Sequence, residues 1–213
     1  MTVLDTAILG EIQSVMIEPE DAGVSWASGF WTAGEVIDYM NDRQRDFLKE
    51  TFCLITADTA LFTVPGVLRH PLPQDWICTY MALWHGSDGT YKELPRSDSF
   101  EADLGQPTWI YETKPKPDLC SDGDQATLTM QVMPAASDAG LVEILYVKVS
   151  AALSNSGIAF EVPDEFVPAI KWGVISDMLS KIGRAHDPRR AAYAESRYAE
   201  GVEAAKAMLR GFI

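Results

Sequence analysis

The hydrophobic period changes twice along this chain, and those two changes limit the folds open to it. Up to Phe52 apolar residues recur every three or four positions. After Phe52 they alternate, and from Val162 the helical spacing returns. A sheet flanked in sequence by two helical pairs is expected to be an insertion, not a tandem domain. The fold class is therefore read as α+β. Residues 1–52 and 158–213 would form a four-helix bundle, and 53–157 an inserted antiparallel β-sandwich or barrel-like sheet.

The helical ends carry their own stop and start signals. Leu4, Ile8, Ile12 and Val15 are spaced for a first helix, weakened at Gly10. Thr32-Ala33-Gly34-Glu35 is a capping box, in which the Thr32 hydroxyl takes the Glu35 amide and the carboxylate reaches back. Trp31 and Val36 are placed for a hydrophobic staple. The stripe of that second helix runs through Ile37, Met40, Gln44, Phe47 and Leu48. Near the end of the chain Phe166, Ile170, Val174, Met178 and Ile182 recur every fourth residue, joined by Ile175 and Leu179. A last stripe follows through Ala191, Ala194, Tyr198, Val202, Ala205 and Met208. Between them Gly183 suits a left-handed helix end, Asp187 a cap and Pro188 a first helical turn, which predicts an antiparallel hairpin. Pro168 means that the preceding helix restarts near Val167 or kinks there.

The middle of the chain alternates. Strands are expected at Leu61–Val64, Trp76–Trp84, Thr90–Leu94, Trp109–Tyr111, Thr127–Val132 and Leu141–Val149, with a hairpin at Asp88-Gly89 and a helical turn or two within Pro95–Leu104.

Little in this sequence points to catalysis. Phosphate-loop, dinucleotide and nucleophile-elbow patterns are absent. Asp118, Asp122 and Asp124 are hard-cation ligand types, but their spacing fits no EF-hand and a solvated turn is the better reading. Glu18, Glu20 and Asp21 read as a solvated loop. Cys53, Cys78 and Cys120 suit reduced, buried thiols, and His70, His85 and His186 lie too far apart for a metal pair. No cofactor and no metal site is expected. The 31 acidic against 17 basic residues give a net charge of −14, which repels nucleic acid but lets it pass without sticking. No segment is apolar enough for a membrane span, and Met1–Met16 lacks the cations of a leader. Arg184, Arg189, Arg190 and Arg197 form the one basic concentration. Interleaved with Glu195, Glu200 and Glu203, they suit a protein contact more than a nucleic-acid patch. Two other classes stay open: a hydrolase using the acidic-loop carboxylates, and a ligand- or carbohydrate-binding β module using Trp76, Trp84 and Trp109.

Several segments together resemble a known family. They are Trp31 to Gln44 with Tyr39, Asn41 and Gln44, the turn Leu72-Pro73-Gln74-Asp75, Val162-Pro163-Asp164-Glu165-Phe166, and Arg197-Tyr198 with Glu200-Gly201. In layout the chain resembles the head-to-tail connector (adaptor, or neck) proteins of tailed bacteriophages, although Asn41 and Gln44 depart slightly from the usual spacing. The resemblance implies a structural virion protein that is not an enzyme. It would form a homo-oligomeric ring, generally dodecameric, beneath the portal, extend the DNA channel and give tail or nozzle proteins a platform. Assembly would take place in the host cytoplasm. On that reading Arg184, Arg189, Arg190, Arg197 and Tyr198 are portal or ring interface candidates.

Overall fold

The computed structural model describes residues 2–16, 30–122 and 128–210. The chain divides into two compact units, Met1–Leu54 with Ser150–Ile213, and Ile55–Val149.

The first unit contains α1 (Asp5–Val15), α2 (Ala33–Thr51), α4 (Val167–Ser180) and α5 (Pro188–Arg210). Side-chain contacts fix the helix directions. Gly173 lies against Tyr198, Gly201 against Ala169, and the Ser176 hydroxyl donates to the Ala191 carbonyl at 3.0 Å, so α4 and α5 run antiparallel. Lys181 meets Glu35, Arg43 meets Asp177 and Phe47 meets Phe166, so α2 also opposes α4 and runs with α5. The stripes bury as their spacing predicts: Met40, Phe47, Leu48, Ile170, Val174, Met178, Tyr198 and Val202 are all in the core.

The caps follow the sequence closely. Thr32 accepts the Glu35 amide at 3.1 Å, Asp187 accepts the Arg190 amide at 3.1 Å, and Pro188 opens α5. Residues Asp164–Phe166 form a 3-10 turn and α4 then starts at Val167 with Pro168 in its first turn, so the helix restarts and does not kink. Three expectations are corrected. The Glu35 carboxylate does not reach back to its cap but accepts from Lys181 at 2.8 Å and Tyr39 at 3.2 Å. Helix α4 ends at Ser180 and leaves Ile182 exposed, because the Asp187 amide turns back onto the Leu179 carbonyl at 3.0 Å. Gly183 lies outside the left-handed helix-end region, at φ 152°, where an added Cβ would meet the Phe30 ring at 2.5 Å. At the ends of their stripes Leu4, Val15 and Met208 are exposed.

Among the described residues the second unit holds nine strands and one helix: β1 (Ile55–Thr63), β2 (Arg69–Pro71), β3 (Trp76–Gly86), β4 (Tyr91–Glu93), α3 (Ser99–Gly105), β5 (Thr113–Lys114), β6 (Leu119–Ser121), β7 (Thr129–Met133), β8 (Ala135–Ala136) and β9 (Gly140–Lys148). The sheets are ordered β1-β9-β3-β4, β2-β7-β6 and β5-β8. The first two are antiparallel, whereas β5 and β8 pair in parallel, against the all-antiparallel expectation. No sheet among the described residues closes into a barrel. Leu61, Trp84, Val142 and Ile144 of the larger sheet share one core with Leu72, Cys120, Met130 and Val132 around the smaller. The β3–β4 hairpin turns at Asp88-Gly89 as its sequence predicts, with Gly89 at φ 75°. Trp109–Tyr111 is not a strand. The Trp109 amide bonds the Gln106 carbonyl and the Tyr111 amide the Thr108 carbonyl, so this triplet is a pair of turns following α3.

Candidate functional site

The residues behind the family resemblance are mostly occupied within their own unit. In α2, Asn41 donates to the Leu153 carbonyl at 3.1 Å and accepts the Leu153 amide at 2.8 Å, while Gln44 donates to the Ser150 hydroxyl. These two side chains hold the chain where it returns to the helical unit. Asp5 does the same from α1. Its side chain is 0% exposed and accepts amides from Thr6, Ser154, Gly157 and Ile158 at 2.6–3.1 Å. Burial works to raise its pKa, but the Ser154, Thr6, Asn155 and Ser156 backbone donors outweigh it and hold the carboxyl below its ordinary value. Asp164 accepts the Val3 amide at 3.0 Å. In the β unit Asp75 accepts the Tyr146 hydroxyl at 3.0 Å.

At the centre of the helical unit lies Arg43, 14% exposed. Its guanidinium forks onto Asp177 (2.7 and 2.7 Å) and onto Glu195 (3.0 and 2.7 Å), and it lies 4.9 Å over the Tyr198 ring. The Asp177 bonds, then Glu195, raise its pKa further above the already high arginine value against the opposing effect of burial. Sequence periodicity places Arg43 beside the apolar stripe but gives no sign of partners 134 and 152 positions away.

The sequence-predicted interface residues fall into two groups. Arg184, Arg189 and Arg190 are exposed and make no ion pair among the described residues, and Arg197 is exposed with Glu200 at 2.6 Å. Tyr198 is corrected: at 4% exposure it packs under Arg43 and against Phe47, and it presents no docking surface. Burial is the first cause pushing its phenol well above the ordinary value.

Sequence reading missed a second feature, though its signal was there. Asp38, Asp42, Asp46 and Glu50 are exposed and spaced by four along α2. Like charges at that spacing cost a helix about 0.2–0.5 kcal/mol per pair. Only part is offset: Arg45 sits 3.6 Å from Asp42 and Lys206 3.7 Å from Glu50. At the start of α5, Arg189 and Arg190 stand where the helix dipole disfavours cations. Both arrangements are locally unfavourable and exposed. In the β unit, Phe100 and Leu104 of α3 and Ile110 and Tyr111 after it leave an apolar surface in solvent.

The catalytic and ligand-binding alternatives find their residues engaged elsewhere. Asp118 bridges Lys92 and Lys114 at 2.7 and 2.6 Å. Asp122 takes Arg96 at 3.0 Å and the Thr79 amide at 3.1 Å. Asp124, Glu18, Glu20 and Asp21 lie outside the described residues. Trp84 and Trp109 are buried and Trp76 packs against the β core. Gly140 allows the Trp84 ring its place, since an added Cβ would lie 2.3 Å from it. The three cysteines form no disulfide, and burial pushes the Cys120 thiol up to about 12. His70 is buried beside the Val67 carbonyl at 3.1 Å, His85 Nε2 lies 2.9 Å from the Glu143 carboxylate, and His186 is exposed. Among the described residues no group of three metal-ligating side chains occurs, and no helix is long and apolar enough to cross a membrane.

A family model described as SU10 adaptor protein matches residues 5–211. No curated protein matches the chain.

Proposed function

This chain belongs to the SU10 adaptor protein family, structural proteins of the phage head-to-tail junction, and from that premise we propose that its copies form a ring between portal and tail. The match over residues 5–211, through both units, carries this reading. Portal and tail proteins are the partners that membership implies. The ring, generally a dodecamer in such proteins, extends the DNA channel. A net charge of −14 suits a wall that DNA passes without adhering. The helical unit, an interrupted bundle, offers Arg184, Arg189, Arg190 and Arg197 for contacts with the portal or with neighbouring copies. The β unit offers the apolar surface of Phe100, Leu104 and Tyr111 to tail proteins.

Electron microscopy of the purified protein, alone and mixed with the portal of its phage, tests the proposal. The expected result is a closed ring coaxial with the portal. A monomer that stays monomeric and never joins the portal refutes it.

A further inference from the structure

We infer that, in the assembly, the outward face of α5 in one copy packs along the outward face of α2 in the next, with Arg190 meeting Asp38, Arg197 meeting Asp46 and Glu200 meeting Lys49. This rests on the ring reading and adds which faces meet.

The argument begins with level. Within one copy α2 and α5 run in the same direction, and two contacts set their heights: Arg43 with Glu195 and Phe47 with Tyr198. Residues about 151 or 152 positions apart therefore stand at the same height along the unit. Arg190 is level with Asp38, Tyr193 with Asp42, Arg197 with Asp46 and Glu200 with Lys49. All eight are exposed. A rotation about an axis parallel to these helices carries α5 of one copy beside α2 of the next with no shift along the axis. That is the operation that closes a ring.

The second argument is charge. Read in that order, α5 presents plus, aromatic, plus, minus, and α2 presents minus, minus, minus, plus. Each charged residue of the α5 row finds its opposite. A one-turn slip still leaves Arg197 beside an acidic residue, Asp42 or Glu50, and what it breaks is the pairing of Glu200 with Lys49, so that pair marks the register. Glu200 now contributes to the match, whereas within one copy it spends its charge on Arg197 at the surface.

The third argument is that the two faces are distinct. Toward α2 of its own copy α5 presents Glu195 and Lys206. The row Arg190, Tyr193, Arg197 faces elsewhere, where Tyr193 stands edge-on to Trp172 at 5.9 Å. Next to it runs a groove of about 370 Å3 lined by Pro168, Trp172, Ala204 and Met208. The contact thus has an apolar flank as well as a charged seam, and neither face is already filled by the copy that owns it.

The test is a charge exchange. R190E/R197E gives a chain with two acidic faces, and D38K/D46K a chain with two basic ones. Each variant alone is expected to lose self-association by on the order of a hundredfold. Mixed in equal amounts they should assemble with alternating subunits, and a chain carrying all four changes should assemble by itself. The readout is mass photometry of each protein alone and with the portal ring, with circular dichroism showing equal helix content. Either variant assembling like wild type overturns the inference, and so does a mixture that fails to rescue. A wild type that assembles under neither condition sinks the ring reading instead.

Discussion

Replacing Arg43 by methionine keeps an apolar stem in place and deletes the fork that joins α2, α4 and α5. Breaking a buried ion pair from one side costs about 3–5 kcal/mol, because a charge is left behind without its partner. Here the abandoned carboxylates can recover part of their hydration. The Asp177 side chain is 30% exposed and the Glu195 side chain 47%. Glu195 accordingly contributes as a surface pair does, at most about 1 kcal/mol, and Asp177 more. Loss of the cation over the Tyr198 ring, 4.9 Å from its centroid, adds about 0.5–1 kcal/mol. Together these give about 2–3 kcal/mol for Arg43→Met. In a chain of this size that corresponds to a fall in Tm of about 5–10 °C. Arg43→Lys keeps the charge but cannot fork onto two carboxylates, so it should lose roughly half as much. The measurement is thermal and urea unfolding followed in the far ultraviolet, with Asp177→Asn and the double variant closing a cycle. A coupling energy of about 1–2 kcal/mol is expected for the pair. If Arg43→Met melts within about 1 °C of wild type, or the cycle shows no coupling, then the fork does not hold the helices and the reasoning is wrong.

Asp5→Asn should destabilise the protein by about 2 kcal/mol at neutral pH, since one amide oxygen cannot serve the donors that a carboxylate serves. The folded carboxyl titrates below its ordinary 3.8. Its stabilisation is therefore complete above that value and disappears as pH falls through the lower, folded one. Denaturant midpoints of wild type and variant should converge in acid; a gap constant with pH would contradict the assignment. Gly201→Ala should cost about 1–3 kcal/mol despite alanine's better helix propensity, because the new methyl would stand 2.4 Å from the Ala169 Cβ. Adding Ala169→Gly should recover most of that loss, and failure to recover would place the strain elsewhere. Asn41→Ala strands both backbone groups of Leu153 and should cost about 1.5–3 kcal/mol, read as a lowered urea midpoint.

Signals confined to one or two turns were legible in the sequence. Thr32, Asp187 and Pro188 cap or open helices as their types dictate, and Asp88-Gly89 turns a hairpin, because each needs only neighbours a few residues away. What failed were inferences that depended on distant partners. Glu35 should have closed a capping box, but Lys181, 146 positions away, gives it a charged donor instead. Ile182 continued an apolar stripe, yet the Asp187 amide takes the Leu179 carbonyl and turns the chain back before it. Trp109-Ile110-Tyr111 is too short for its period to mean anything: one member is buried and the other two are exposed on turns. The role of Asp5 could not be read from its neighbours, because the loop that encloses it lies about 150 positions on. As for the docking faces, the acidic row on α2 could be counted in the sequence. Its match with α5 could not, because the match depends on the height at which Arg43 meets Glu195.

The residues behind the family resemblance and those of the proposed contact divide the same helices between them. On α2, Asn41 and Gln44 hold the returning chain, while Asp38, Asp42 and Asp46 are exposed. On α5, Tyr198 is buried and Gly201 lies against Ala169, while Arg190 and Arg197 are exposed. A change in the first set acts on assembly only through stability, so its effect should vanish at low temperature, where the folded state is fully populated. A change in the second set acts on association directly and should move the melting temperature of the monomer only slightly, since Arg190→Glu suits the start of the helix dipole while Arg197→Glu loses the pair with Glu200. Asn41→Ala and R190E/R197E are therefore expected to reduce assembly for different reasons. Measuring assembly well below the melting transition tells them apart: Asn41→Ala should assemble normally there and R190E/R197E should not. If both recover, the α5 row is acting through the fold. If neither does, Asn41 itself lies closer to the interface than its bonds to Leu153 imply.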